Sequence, residues 1–136
     1  MNHRPLLLAA LMISPLAHAT DCTVVEVHNV RPSQGAVMLA VYTDGTDFNR
    51  KPAVTQRLLA GPAERLRFAV CDLGSAPVAL SLLQDLNANG RMDFNPMGLP
   101  TEPWGSSGTV PPMSAPTWDS SKVVLNGQPL VIRLSQ

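Results

Sequence analysis

The stretch LRFAVCDLGSAPVALSLLQD, Leu66–Asp85, decides the fold. It holds two apolar runs, LRFAVCDL (66–73) and PVALSLLQD (77–85), joined by the small residues GSA (74–76). Each run has strand length, and the break between them leaves no room for a helix. Upstream, CTVVEVHNV (22–30) is rich in Val and partly alternating, and RPSQG (31–35) is a turn by composition. AVMLAVY (36–42) then reads as another strand, and TDGTDFNRKPAVTQ (43–56) as a polar loop with room for a short helical turn. Downstream, WDSSKVVL (118–125) and LVIRL (130–134) are expected to form a hairpin across NGQP (126–129), because Asn126-Gly127 is the strongest turn signal in the chain. No segment has sustained helical periodicity with a cap at each end, and thirteen prolines are scattered between the apolar runs.

Short strands with frequent turns predict an all-β chain, an antiparallel β-sandwich of about seven strands with an immunoglobulin-like or transthyretin-like layout. The expected inward side chains are Val25, Val27, Val37, Leu39, Val41, Phe68, Val70, Leu80, Leu82, Val124, Val131 and Leu134.

The ends of the chain suggest a compartment. MNHRPLLLAALMISPLAHA (1–19) has a basic start, an apolar centre and a small-x-small ending at Ala17-His18-Ala19. That is the pattern of a cleaved signal peptide, too short in its apolar part to span a bilayer. Residues 20–136 are then expected to form a single domain, periplasmic or secreted. Asp21 beside Cys22 argues against a lipid-anchored N-terminus, which needs small residues there. Ten basic and ten acidic residues cancel, and loss of Arg4 with the leader leaves one excess negative charge. No basic stripe points to nucleic acid or to anionic lipid.

Cys22 and Cys71 are the only cysteines. In an exported chain the simplest reading is one disulfide, which would tie the first mature strand to the end of a middle one. Free thiols are the alternative. A redox pair is disfavoured because the Cys-x-x-Cys spacing is missing.

The segment after the second run is DLNANGRMDFNPMGLPTEPWGSSG, from Asp85 to Gly108. With Asp85 at position one, Asn87, Asn89, Gly90, Arg91 and Asp93 fall at three, five, six, seven and nine. Calcium loops use this spacing because alternate side chains fold onto a hard cation, Gly permits the sharp turn, and position seven lends a carbonyl. The expected ligands are therefore Asp85, Asn87, Asn89 and Asp93 by side chain and Arg91 by its backbone oxygen. Pro96 stands where an EF-hand has its bidentate Glu. With only two carboxylates the site belongs to the weak class, at about 10⁻⁴ to 10⁻³ M calcium. Asn95 or Glu102 could complete the shell if the loop folds back. The competing reading needs no ion, since Asp, Asn and Gly also build tight turns through side-chain to backbone bonds. Little strand or helix signal runs from Leu86 to Pro116, and a connection that long must be tied down, by the cation or by burial of Trp104 and Met97.

Asp85, Asn87, Asn89-Gly90, Asp93, Gly98, Pro100, Glu102 and Gly105 together resemble the signature of the bacterial family called domain of unknown function 2141. The likeness extends over nearly all of the mature chain, through GAVMLAVY and the Leu66–Asp85 pair of runs. It implies a small exported β-rich protein with this Asp and Asn set, and no established reaction. The chain departs from the family pattern at Gln84, where a His is common, and at Ala76, Val78, Leu86 and Ser106.

A catalytic set is harder to assemble. Outside the leader only His28 remains, so neither a histidine triad nor a multi-histidine metal site is available. A carbohydrate-active enzyme using Asp85, Asp93 or Glu102 across a cleft lined by Trp104 is the alternative function. The primary expectation is an exported binding or accessory module with a weak structural calcium loop and a protein or carbohydrate partner. Trp104 and Trp118 are candidates for an aromatic platform or for core anchors. Met38, Met92, Met97 and Met113 are not clustered in sequence, so packing is the better reading than soft-metal binding.

Overall fold

The computed structural model describes residues 21–136. The expected leader, 1–19, lies outside the described residues. Seven strands and one helical turn follow in order: β1 (Cys22–His28), β2 (Ala36–Tyr42), β3 (Val54–Leu59), β4 (Arg65–Cys71), β5 (Ala79–Asp85), β6 (Trp104–Ser106), α1 (Trp118–Ser121) and β7 (Leu130–Arg133). They form a three-stranded sheet, β4-β1-β7, and a four-stranded sheet, β3-β2-β5-β6. All pairs are antiparallel except β1 with β7. Among the described residues no helix is long and apolar enough to cross a membrane.

Alternation along the strands builds the core between the sheets. Val25 and Val27 of β1 and Phe68 and Val70 of β4 face Val37, Leu39 and Val41 of β2 and Leu80 and Leu82 of β5, all buried in one cluster. Cys22 and Cys71 are register partners at the ends of β1 and β4, and they are joined by a disulfide.

The C-terminal expectation needs correction. Thr117 caps α1 through a reciprocal capping box with Ser120, so Trp118–Ser121 turns as helix rather than strand. The Asn126-Gly127 turn does form, with Gly127 at φ +77° and Asn126 Oδ1 accepting from Gln128 N–H. Its two arms join different sheets, however. Val123 bridges Val78 at the entrance to β5, whereas β7 pairs with β1. Val124 and Val131 are consequently 60% and 41% exposed, and Ile132 takes the inward place beside Leu134. Two strands were not anticipated at full length. β3 begins within the polar loop at Val54, and β6 lies inside the long segment after Asp85. β6 contributes Gly105, where a Cβ would lie 2.9 Å from the Arg133 carbonyl and from an Ile132 methyl, so only glycine lets the two sheets close at that edge.

Candidate functional site

The long segment is fastened at its root by two buried carboxylates. Asp85, 1% exposed at the end of β5, accepts Asn89 N–H at 3.1 Å on one oxygen and Gly90 N–H at 2.8 Å on the other. Glu102, also buried, folds back onto both ends of the same loop and accepts Leu86 N–H at 2.8 Å and Asp93 N–H at 3.2 Å. Gly90 takes φ +78°, and Ala88 takes φ +60° despite its Cβ, just before the two N–H groups, of Asn89 and Gly90, that Asp85 holds. Gly35 in the β1–β2 turn is equally constrained, because a Cβ there would sit 1.9 Å from the Asp85 carbonyl oxygen.

Asn87, Asn89 and Asp93 are brought together. Asn87 donates to Asp93 at 2.6 Å, and Asn89 donates to both Asp93 oxygens at 2.8 Å. The Asn87 bond first, then the Asn89 bonds, hold the Asp93 carboxyl below the usual carboxylate range against desolvation, and the Arg91 charge adds least. The amide oxygens accept backbone hydrogens, Asn87 from Asn89 and Asn89 from Arg91. Arg91 is not drawn in by its side chain, whose nearest approach to Asp93 is 3.9 Å. Asn95 turns away from the loop and accepts Met97 and Leu99 N–H in a turn of its own. Among the described residues no three His, Cys, Asp or Glu side chains converge on one point. The arrangement closes on itself as a turn network. A cation there would draw on the Asp85 and Asp93 oxygens and on the two asparagine oxygens, once their amide groups rotate off Asp93.

This network positions a finger. From Asp93 the chain runs out and back through the Phe94–Pro100 bridge, with Thr101 N–H returning to the Asp93 carbonyl at 2.9 Å. The finger stands over the outer face of the four-stranded sheet. Register places Arg57, Met38, Leu83 and Trp104 in one row across β3, β2, β5 and β6. The adjacent row is Thr55, Ala40, Ser81 and Ser106, small and mostly polar. Met92 at the root of the finger, Phe94 and Leu99 on it, and Val110, Pro112 and Met113 of the later proline-rich segment wall the apolar row, around an open groove of about 1280 Å³.

Sequence reasoning missed this groove. The available signal was a double-faced β5, whose Leu82 faces the core while Leu83 faces out, with Met38 opposite Leu83 on β2. Trp104 is half-buried in the groove floor, whereas Met97 is 80% exposed and anchors nothing, contrary to expectation. Trp118 instead packs edge-to-face on Phe48 at 6.3 Å, and Phe48 in turn packs edge-to-face on Tyr42 at 5.2 Å. Asp85, Asp93 and Glu102 do not line the groove. His28 lies on β1, 3.4 Å from Glu26.

The family described as "Uncharacterized protein conserved in bacteria (DUF2141)" matches residues 25–133. No curated protein and no solved structure matches the chain.

Proposed function

The chain belongs to this bacterial family, and we propose that it acts as an exported β-sandwich binding module whose ligand lies in the outer-face groove. Export rests on the leader pattern of residues 1–19, with the cysteine pair in keeping. The observation that carries the binding reading is the groove itself. Its size exceeds the usual several hundred Å³ of a small-molecule site, and its floor and walls are mainly apolar. Sheet faces left to water are normally polar, so a row of Met38, Leu83 and Trp104 needs a reason beyond folding. An apolar ligand suits that row better than a sugar. The carbohydrate-active alternative loses ground because Asp85 and Glu102 are engaged with backbone N–H groups away from the groove.

Calcium belongs to the same proposal as a modulator. Asp85, Asn87, Asn89 and Asp93 by side chain, and Arg91 by its carbonyl, would hold the ion and stiffen the root of the finger. Titration with Nile red, a neutral apolar dye, in chelator and in millimolar calcium tests both parts. Saturable dye binding is expected in each condition, with several-fold higher affinity in calcium and no calcium effect in Asp93→Ala. Dye binding indifferent to calcium would remove the ion from the proposal. Absence of saturable binding in both conditions would remove the groove.

A further inference from the structure

The charges around the groove carry its specificity one step further, resting on the binding reading above. The groove-lining residues include two cations, Arg57 and Arg91, and no Asp or Glu. Arg57 is exposed on β3 and, among the described residues, has no carboxylate within ion-pair distance. Arg91 is also largely exposed. Its one carboxylate neighbour, Asp93, stands 3.9 Å away and already accepts hydrogen bonds from Asn87 and Asn89.

Shape and charge coincide along the sheet. The apolar row Met38–Leu83–Trp104 is flanked on one side by the small residues Ala40, Ser81 and Ser106 and on the other by the buried Ala36 and Asp85. It ends at Arg57 on the edge strand. Three strand spacings separate Arg57 from Trp104, roughly 14 Å. A strip of that length suits an extended aliphatic chain, and Met38 and Met92 adapt to such a chain through their unbranched thioethers. A guanidinium at one end suits a carboxylate, which it can bind through two parallel hydrogen bonds.

We propose that the groove binds a single-chain amphiphile with an acidic head, a long-chain carboxylate, its tail along Met38–Leu83–Trp104 and its head at Arg57. The test is displacement of Nile red by dodecanoate, dodecanamide and dodecylammonium, below their micellar concentrations, at neutral pH. Dodecanoate is expected to displace the dye at about one-tenth the concentration needed for the amide, and the ammonium to be weakest. In Arg57→Gln, an exposed substitution, with dye affinity measured again in the variant, the gap between dodecanoate and dodecanamide is expected to close. Equal displacement by all three compounds would overturn the acidic-head assignment and leave the apolar groove intact. Retained dye binding with no displacement by any of them would overturn it also. Failure of the dye itself to bind is a different result, and counts against the groove rather than the head.

Discussion

Asp85→Ala is expected to cost roughly 2 to 3 kcal/mol of folding stability and to weaken groove binding about tenfold. The carboxylate is buried at the end of β5 and is the acceptor for the N–H groups of Asn89 and Gly90. Hydrogen bonds to a charged acceptor contribute more than neutral ones, and removing the acceptor leaves both donors without a partner. Asn89 and Gly90 are exposed, so water recovers part of the loss and the lower end of the range applies. The left-handed backbone at Ala88 and Gly90 is then released, and the finger from Asp93 to Thr101 loses its fixed root. Urea unfolding together with the dye titration measures both consequences. A variant as stable as the parent, with dye affinity unchanged, would show that Asp85 does not organise this wall.

Removing the disulfide has the larger effect on stability. Cys22 and Cys71 are separated by 49 residues along the chain. Closing a loop of that length withdraws about 4 kcal/mol of chain entropy from the unfolded state. For a domain of this size that corresponds to a fall of roughly 12 to 20 °C in Tm. The bridge joins the ends of β1 and β4, whose seven register pairs begin at the cysteines. Native sheet geometry therefore already holds them opposite one another. The expected result is the same for reduced protein and for the double variant Cys22→Ser with Cys71→Ser. Unchanged melting in the double variant would mean that the bridge contributes nothing to the folded domain.

Much of the sandwich was legible because its strands alternate plainly. Val25 and Val27, Val37 to Val41, and Phe68 and Val70 give a period of two with few exceptions, and they form the core. Leu82 and Leu83 break that period, and apolarity alone does not reveal which side of the sheet the second leucine serves. β3 was obscured because VTQRLL is an edge strand with little burial and so carries little pattern. The C-terminal arms were misjudged for another reason. Asn126-Gly127 specifies a turn locally, but the partner of each arm is set by contacts with Val78 and with β1, far away in sequence.

The candidate loop was half legible. Its spacing put Asp85, Asn87, Asn89 and Asp93 in one turn; the structure joins the Asn87, Asn89 and Asp93 side chains, while the Asp85 carboxylate accepts the backbone hydrogens of Asn89 and Gly90. The return of Glu102 to Leu86 and Asp93 was open in the sequence, and the structure supplies it. Gln84 carried no chemical signal beyond its departure from the family pattern. It is fully buried, accepting from Arg31 N–H and donating to the Arg31 and Gln34 carbonyls, all at 2.8 Å. That clasp fixes the β1–β2 turn against β5, next to Gly35 and Asp85. The groove was invisible for a more general reason. It is made by register across four strands and by two loop segments on either side of β6, none of which is apparent until the strands are paired.

The most direct test of the groove is a methionine-methyl and tryptophan-indole NMR titration with dodecanoate. Met38, Met92, Met113 and Trp104 line the groove, whereas Met97, on the same finger, does not. Saturable shifts at the first four, with Met97 unmoved, are the result expected of a ligand lying along the Met38–Leu83–Trp104 row. No saturable shift, or equal shifts at Met97 and at the groove methionines, would contradict a ligand site on this face.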